Sequence, residues 1–363
     1  MATKNVKTII FLGAGASASD GAPIQSKLFF EYFEHVLTKR LQGEKRNKIL
    51  ISFFKEFFNI DIGGHRNYPT FEEILGILEI SIIESEDFKR NPLGASKSSL
   101  TEIHEKLVLL MAEIINEKLG PFAHTKHNQL VEELGRRKAL GNTSFISLNY
   151  DILIDNALLT ARGLFGLDLD YGVNFFNFDN DYPPASPNEW NAPNLDKSIS
   201  LFKLHGSLNW LFCPVCRKTE LTPKEKGVCR LIYNPSDPEC FCKKCQTQIV
   251  PIIIPPTYFK ALSNLHLMQI WDKAEAELVK ADKLVFCGYS FPDADIHVRY
   301  LLKRAQMRKG TNWEISLVNM PTGFVKEPQI IQAEKSRYER FLGPVNDKNL
   351  SFDQFSDDPS LVI

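Results

Sequence analysis

Short apolar runs that end in small or polar residues recur along the chain. The first is KTIIFL at residues 7–12, and it ends at two closely spaced glycines. Runs of the same form follow at residues 143–151, 199–207, 282–290 and 313–320 (TSFISLNYD, ISLFKLHGS, DKLVFCGYS and WEISLVNM). Because helical stretches separate these runs, they predict an α/β fold with a Rossmann-like parallel sheet covered by helices. Ligands bind beyond the carboxyl ends of such strands, which is where these polar residues lie.

A long helical stretch separates the first two predicted strands. Apolar residues recur there at spacings of three and four, in SKLFFEYFEHVLTKRL, NKILISFFKEFFNI, FEEILGILEISII and SLTEIHEKLVLLMAEIINEKLGP. Thr70 and Glu73 form a capping-box pattern ahead of the third segment. We therefore predict a helical insertion at residues 25–139, within a Rossmann-like domain formed by residues 1–24 and 140–342. The polar and acidic residues 343–363 predict a loosely ordered tail.

The charge and composition of the chain narrow the classes of partner. The chain has 363 residues, a net charge of −1 and 44% hydrophobic residues, which is ordinary for a globular protein. A nearly neutral chain has no general electrostatic attraction to nucleic acid, so we expect no direct nucleic-acid binding. We expect no membrane span, because no apolar stretch is long enough to cross a bilayer. The N-terminal residues lack the pattern of a secretion signal, which predicts a cytoplasmic protein.

Six of the seven cysteines fall between residues 213 and 245. Two C-x-x-C pairs stand out among them, and they comprise Cys213, Cys216, Cys242 and Cys245. Each pair can present two thiolates to one tetrahedral Zn²⁺, so we predict a structural zinc-binding module at residues 213–245 rather than disulfides. Cys240 is an alternative to Cys242 as a ligand, and Cys229 is left over.

The glycine pair Gly13 and Gly15 opens a possible nucleotide loop. A hydride-transferring Rossmann enzyme has G-x-G-x-x-G/A, then a second strand about twenty residues later that ends in an acidic residue. Ala18 fits the third position of this pattern. The second strand is missing, because the helical insertion follows instead. The loop alone is equally consistent with a tight turn, and a dehydrogenase is disfavoured.

The spacing of a wider set of residues resembles the sirtuin family. The loop GAGASASDGAP is similar to the opening sirtuin motif, SLNYD to a Q-N-x-D motif, KLHGS to the catalytic His-Gly motif, and GYS to G-T-S. The C-x-x-C pairs lie between the last two motifs, and LVN follows them. The matching positions are Gly13, Ala14, Gly15, Ser17, Gly21, Pro23, Asn149, Asp151, His205, Gly206, Gly288, Ser290 and Asn319.

This resemblance implies a protein that binds NAD⁺ and cleaves its nicotinamide–ribose bond. It implies that Asn149 and His205 are catalytic, His205 as a base that takes a proton from a ribose hydroxyl or water. The implied NAD⁺-binding residues are Gly13, Ala14, Gly15, Ser17, Pro23, Asp151, Gly288, Ser290 and Asn319. In this assignment glycine-loop N–H groups face the pyrophosphate, Asp151 binds the nicotinamide carboxamide and Asn319 binds the adenosine ribose. Asp293 and Asp295 are predicted to cap the following helix, Asp295 with a supporting role in the site as an alternative.

Two departures from sirtuin deacylases bear on the reaction. The residues PIQSKLF lack the arginine that follows the sirtuin loop, and QIVPIIIPPTYFKAL replaces the strand that pairs with a substrate peptide. Pro251, Pro255 and Pro256 cannot donate to such a peptide ladder. The chain thus most closely resembles the bacterial sirtuin-like NAD⁺ hydrolases of antiphage defence. We hypothesise a regulated NAD⁺ hydrolase that is a homo-oligomer and works with a partner ATPase or nucleic-acid sensor. The alternatives are an NAD-dependent protein-lysine deacylase and a non-catalytic protein that binds NAD or ADP-ribose.

Overall fold

The computed structural model describes residues 6–24, 27–37, 44–62, 67–84, 97–119, 124–176, 192–222, 227–254, 264–321 and 326–363. Its strands are β1 (Thr8–Leu12), β2 (Thr143–Ser147), β3 (Asp168–Asp170), β4 (Ser198–Lys203), β5 (Gly206–Cys213), β6 (Lys218–Leu221), β7 (Val250–Ile253), β8 (Lys283–Cys287), β9 (Glu314–Val318) and β10 (Asn346–Asp347). Its α-helices are α1 (Ala14–Ala18), α2 (Leu28–Leu37), α3 (Glu44–Phe58), α4 (Phe71–Glu84), α5 (Lys97–Leu119), α6 (Lys126–Arg136), α7 (Leu153–Phe165), α8 (Val228–Tyr233), α9 (Leu265–Lys280), α10 (Ile296–Lys309), α11 (Pro328–Leu342) and α12 (Phe352–Asp357).

Seven of the strands form one parallel sheet in the order β10-β9-β8-β1-β2-β4-β3. All five predicted strands lie in this sheet, as β1, β2, β4, β8 and β9. β1 and β2 are buried along their whole length, which explains why their sequences are continuous apolar runs. The predicted α/β, Rossmann-like fold class is confirmed. In the described ranges, every helix is too short or too polar to cross a membrane.

The predicted helical segments between β1 and β2 form α2 to α5. The capping box ahead of α4 is present, since the Thr70 N–H donates to Glu73 Oε2 at 2.6 Å and the Glu73 N–H donates to Thr70 Oγ1 at 3.2 Å. Phenylalanine rings fill the core of these helices, with Phe29 and Phe33 packed edge-on against Phe54 at 4.9 and 5.1 Å. These phenylalanines therefore have a structural role.

A second, antiparallel sheet has the strand order β6-β5-β7. β5 begins at Gly206, directly after His205, and ends at Cys213. Leu211 and Cys213 belong to the same apolar core as α2 to α5. This small sheet therefore links the end of β4 to the cysteine pairs and to the helical insertion.

The expectation of a loosely ordered tail at residues 343–363 is wrong. β10 pairs in parallel with β9, and Ser351 forms a capping box with Gln354 at the start of α12. Phe355 is fully buried and Val362 is 4% exposed. A few apolar side chains, irregularly spaced among polar ones, anchor this segment, so no helical or strand period reveals them in the sequence.

Candidate active site

A cavity of about 450 Å³ lies beyond the carboxyl ends of β1, β2, β4 and β8. Each strand contributes the residues that follow it, and α4 of the insertion forms a further wall. The lining comprises Gly13, Ala14, Thr70, Glu72, Glu73, Gly76, Ile77, Ile80, Leu148, Asn149, His205, Gly288, Tyr289, Ser290, Pro292, Ala294 and Asp295. The cavity therefore contains six of the predicted catalytic and binding residues, namely Gly13, Ala14, Asn149, His205, Gly288 and Ser290.

Asn149 is held from behind by the glycine loop. Its Nδ2 donates to the Gly13 carbonyl at 2.9 Å and to Ser17 Oγ at 2.8 Å. Because both amide hydrogens are used within the protein, the amide oxygen is the group that Asn149 can offer to a ligand. Such an oxygen accepts a hydrogen bond from a hydroxyl or a water molecule.

Ser17 and Asp151 buttress Asn149 and do not line the cavity. Ser17 Oγ donates to Asp151 Oδ2 at 2.7 Å, and the Leu153 N–H donates to Asp151 Oδ1 at 3.1 Å. Both side chains are buried, Ser17 at 2% exposure and Asp151 at 5%. The structure thus places Asp151 against α1 and the start of α7, where its hydrogen bonds orient the loop that carries Asn149.

His205 lies beside a buried carboxylate. Its Nε2 is 3.7 Å from Asp295 Oδ1, and Tyr289 O–H donates to Asp295 Oδ2 at 2.8 Å. His205 is 2% exposed and Asp295 is 1% exposed, while the Tyr150 ring lies 6.3 Å from the imidazole ring. A carboxylate at this distance can stabilise the positive charge that an imidazole gains when it accepts a proton, so the arrangement suits a general base.

Asp295 has a different role from the predicted helix cap. It does occupy the N-cap position of α10, but its side chain makes no capping hydrogen bond. Asp293, the other predicted cap, is exposed and pairs with Arg299 at 2.7 Å. The structure therefore turns the Asp295 carboxylate toward His205 and Tyr289, and not toward the helix terminus.

The glycines of the loop are required by close backbone packing. A Cβ on Gly13 would lie 2.6 Å from the Gly288 carbonyl oxygen, and one on Gly15 would lie 2.7 Å from Gly288 Cα. Gly288 has φ +61°, in the left-handed region, and its own Cβ would lie 2.1 Å from the Ala16 nitrogen. The N–H groups of Gly13 and Gly15 donate to the carbonyls of Cys287 and Gly288, each at 2.9 Å. These glycines shape the loop, and their own N–H groups are bonded within the chain.

Three other predicted binding residues have different surroundings. Asn319 clamps the backbone of Tyr289, since it accepts from the N–H at 3.2 Å and donates to the carbonyl at 2.9 Å. It lines a separate small cavity beside Lys326. Ser290 lines the main cavity, and its carbonyl accepts from Arg337. Pro23 is half-buried in the loop after α1.

Sequence reasoning missed the contribution of α4 to the cavity. Glu72, Gly76 and Ile80 recur at a spacing of four, so they lie along one face of the helix, and all three line the cavity. Burial raises the pKa of Glu72 to about 8, and the charges of Asp295 and Glu73 act in the same direction. The only signal in the sequence is Gly76, because glycine is unfavourable inside a helix. Its lack of a side chain leaves room on this face of α4.

The four predicted zinc ligands come together. Each cysteine offers one Sγ atom, and all four atoms lie within 4.8 Å of one another. Sγ atoms of a tetrahedral site with Zn–S bonds of about 2.3 Å would be separated by about 3.8 Å. The observed separations of 3.5 Å for Cys213–Cys245 and 3.9 Å for Cys216–Cys242 fit this geometry. The four-cysteine cluster is therefore compatible with structural zinc, which would join β5 to the segment before β7.

The structure also separates Cys242 from its alternative. Cys242 Sγ lies in the cluster, whereas Cys240 Sγ contacts the Asn234 carbonyl at 3.4 Å. The left-over Cys229 is buried on α8 and faces the Ala112 carbonyl at 3.9 Å.

Comparisons with known proteins place the chain in a family. The family described as the SIR2-like domain matches residues 143–338, and no curated protein matches the chain significantly. One similar solved structure is a Sir2 homologue in complex with NAD, which is 15% identical to this chain. The alignment covers 98% of this chain and 88% of that chain, with a TM-score of 0.47. A Sir2 homologue mutant with ADP-ribose has 16% identity, coverages of 98% and 91%, and a TM-score of 0.46. A structure from work on the mechanism and regulation of Sir2 enzymes has 15% identity, coverages of 98% and 90%, and a TM-score of 0.43.

The family match begins at β2 and runs into α11, so it contains Asn149, His205, Asp295 and the cysteine cluster. It spans more than half of the chain. On this match, the chain belongs to the SIR2-like domain family.

Proposed function

We propose that the protein is an NAD⁺ hydrolase that cleaves NAD⁺ to nicotinamide and ADP-ribose. The main support is that His205, Asn149 and the glycine loop line one cavity at the carboxyl edge of the sheet. Membership of the SIR2-like family supports an NAD-dependent enzyme.

The reaction requires loss of a neutral leaving group and attack by water. The bond between ribose C1′ and the nicotinamide nitrogen breaks, and its electron pair stays on the nitrogen. The water oxygen forms the new bond to C1′, and the water proton passes to the imidazole of His205. Asp295, 3.7 Å away, stabilises the resulting imidazolium. The Asn149 amide oxygen accepts a hydrogen bond from the water or a ribose hydroxyl and so orients it.

Two features support water over an acyl-lysine as acceptor. The first is α4 of the insertion, since Ile77 and Ile80 form an apolar wall on one side of the cavity. The second is β7, an edge strand of the small sheet that contains Pro251. Proline has no N–H, so this edge is a poor template for a substrate peptide. Pro255 and Pro256, which also entered the prediction, lie outside the described residues.

The biological setting follows from the resemblance to defence proteins. Uncontrolled loss of NAD⁺ would kill the host cell, so we propose a regulated effector of bacterial antiphage defence that acts in the cytoplasm. In this proposal, assembly into a homo-oligomer, or contact with a partner ATPase or nucleic-acid sensor, activates the enzyme.

The decisive experiment measures nicotinamide release from NAD⁺, first alone and then with an acetylated peptide. We expect release without peptide, and its loss in His205→Ala. His124→Ala is the matched control, because this histidine is 58% exposed in its side chain and lies outside the cavity lining. Release that depends on the peptide would establish a deacylase instead. Binding without release under either condition would favour the non-catalytic alternative.

A further inference from the structure

Glu72 is a carboxyl group of the cavity that the proposed reaction does not use. It is half-buried as a whole, but its Oε1 is inaccessible to solvent and has no hydrogen-bond partner among the described residues. A buried carboxyl oxygen without a partner is costly for a folded protein. Such a group in a cavity wall indicates that a ligand provides the missing interaction.

Glu72 lines the same cavity as His205 and Asp295. The charge of Asp295 acts on Glu72, and Asp295 Oδ1 is 3.7 Å from His205 Nε2. On the other side, Glu72 is among the groups that act on Tyr150, whose pKa is raised mainly by burial. Asp295 lies beside His205, so Glu72 and the proposed base share one cavity with the same carboxylate.

The groups around Glu72 are acidic or weakly ionising. Glu73 lies next to it on α4, the charge of Asp295 at the start of α10 raises the pKa of Glu72, and the charge of Glu72 raises the pKa of Tyr150 after β2. His205 is the basic side chain among the residues that line this cavity. Burial favours the neutral carboxyl group, and a pKa of about 8 corresponds to a group that is about nine-tenths protonated at pH 7.

We propose that Glu72 selects the oxidised, cationic dinucleotide, by releasing its proton to solvent when the positively charged nicotinamide ring enters the cavity. This inference rests on the proposed function, since it names NAD⁺ as the ligand. The exchange is balanced: the neutral carboxyl and the cationic ring become a carboxylate–cation pair and one proton in solution. NADH carries an uncharged dihydronicotinamide ring, so it gains nothing from a carboxylate at this point. Glu72 thus makes the insertion helix part of the substrate specificity.

Binding measurements test this proposal without turnover. Carba-NAD⁺, in which carbon replaces the ring oxygen of the nicotinamide ribose, keeps the cationic ring and resists hydrolysis. Calorimetric titrations at pH 7 in two buffers of different ionisation enthalpy give the number of protons released. We expect about 0.9 proton per site for carba-NAD⁺ and none for NADH. Glu72→Gln should abolish the release, and Glu79→Gln, a glutamate on the same helix that pairs with His104, should preserve it.

The pH dependence provides a second readout. Only the ionised fraction of Glu72 binds the cation well, and this fraction rises about tenfold between pH 7 and pH 9. The affinity of the wild type for carba-NAD⁺ should therefore rise by up to about tenfold over this range, while Glu72→Gln should show a flat profile. Equal affinities for carba-NAD⁺ and NADH, or binding without proton release, would overturn the role of Glu72.

The two proposals fail in different ways. If proton release is observed but NAD⁺ is not hydrolysed, the role of Glu72 in selecting the cation stands and the hydrolase is refuted. If NAD⁺ is hydrolysed without proton-linked binding, the hydrolase stands and Glu72 has no such role. Absence of any binding of carba-NAD⁺ and NADH would refute both.

Discussion

At the scale of single residues, buried polar side chains hold one another in place beside the cavity. Asn149 donates to Ser17, and Ser17 donates to Asp151. The Ser17 hydroxyl on α1, after β1, thus connects to two residues of the segment after β2. The Ser17 hydroxyl and both amide hydrogens of Asn149 donate within the protein, which leaves the Asn149 amide oxygen for a ligand. In the proposed reaction this oxygen would accept a hydrogen bond from the attacking water. Water is a poor nucleophile, so its orientation matters for the rate.

The clearest residue-scale prediction concerns Asp295. Asp295→Asn keeps an oxygen that can accept from Tyr289, but removes the negative charge beside His205. We expect the turnover of NAD⁺ to fall by about two orders of magnitude with little change in KM, because the charge assists the proton transfer and does not hold the substrate. Steady-state nicotinamide release measures both constants.

Asp293→Asn is the matched control for this prediction. Asp293 lies two residues before Asp295 in the sequence, but it is exposed and pairs with Arg299. We expect it to retain wild-type turnover. A variant Asp295→Asn with unchanged turnover would show that His205 needs no carboxylate partner.

At this scale the sequence predicts part of the site. The motif spacing identifies Asn149 and His205, and both line the cavity. It cannot distinguish a ligand contact from a buttress, which is why Asp151 and Ser17 are indistinguishable from Asn149 in a motif. Glu72 has no motif at all, because its role depends on where α4 packs, and helix periodicity does not specify the partner of a helix face.

At the scale of elements, β5 connects the proposed base to the metal cluster. It begins after His205 and ends at Cys213, and the N–H of Ile254, the residue after β7, donates to the His205 carbonyl at 2.9 Å. Bound zinc would tie the far end of β5 to the segment that carries Cys242. The geometry of His205 therefore depends on an element whose other end the cysteine cluster holds.

Cys242→Ser and Cys240→Ser separate the ligand from its neighbour. We expect the purified wild type to contain about one zinc per chain, and Cys242→Ser to lose it, because three thiolates bind zinc more weakly than four. Cys240→Ser should keep its zinc, since Cys240 Sγ contacts the Asn234 carbonyl outside the cluster. Elemental analysis of both variants measures this directly. The reverse pattern of metal contents would reassign the fourth ligand to Cys240.

The C-terminal segment shows how few apolar residues can order an element. Phe355 on α12 is fully buried, although it is surrounded in sequence by polar residues. Phe355→Ala should lower the free energy of unfolding by about 3–5 kcal/mol, because a large ring leaves a cavity in the core. Leu361→Ala, at a side chain that is 48% exposed, should change it by less than about 1 kcal/mol. Urea denaturation compares the two, and equal small effects would indicate that the segment is dispensable.

At the scale of the whole molecule, the helical insertion is a wall of the cavity and shares a core with the main domain. Tyr150 and Ile152 after β2, and Leu208 of β5, belong to the same apolar cluster as α2 to α5. The sequence predicts the insertion, since its helices are strongly periodic, but not its location. Periodicity identifies an apolar face without naming the surface that covers it. The composite cavity is therefore a property that only the folded chain shows.

A buried pair fixes the C-terminal part of the insertion, on α6, to the segment of the main domain that precedes the insertion. Asp20, after α1, accepts from His127 Nδ1 at 2.6 Å and from the Lys126 N–H at 2.7 Å, and His127 is 1% exposed. Burial by itself would raise the pKa of Asp20, but the hydrogen bond and charge of His127 lower it below its ordinary value of 3.8. A carboxyl group whose pKa is lowered by folding stabilises the protein above its unfolded pKa. That contribution is lost as the pH falls through the lowered pKa.

Asp20→Asn should therefore lower the free energy of unfolding by about 1–3 kcal/mol at pH 7, because it weakens a buried charge-assisted hydrogen bond. The difference from the wild type should begin to shrink as the pH falls below 3.8, where the carboxyl of the unfolded chain becomes neutral, and should disappear only below the lowered pKa of the folded protein. Urea denaturation between pH 7 and pH 3 measures this difference. Asp357→Asn, which removes the 58%-exposed partner of Lys126, is the control and should cost less than about 1 kcal/mol. A loss for Asp20→Asn that is equally large at pH 7 and pH 3 would mean that the amide disrupts packing, and that the charge of Asp20 does not hold α6 in place.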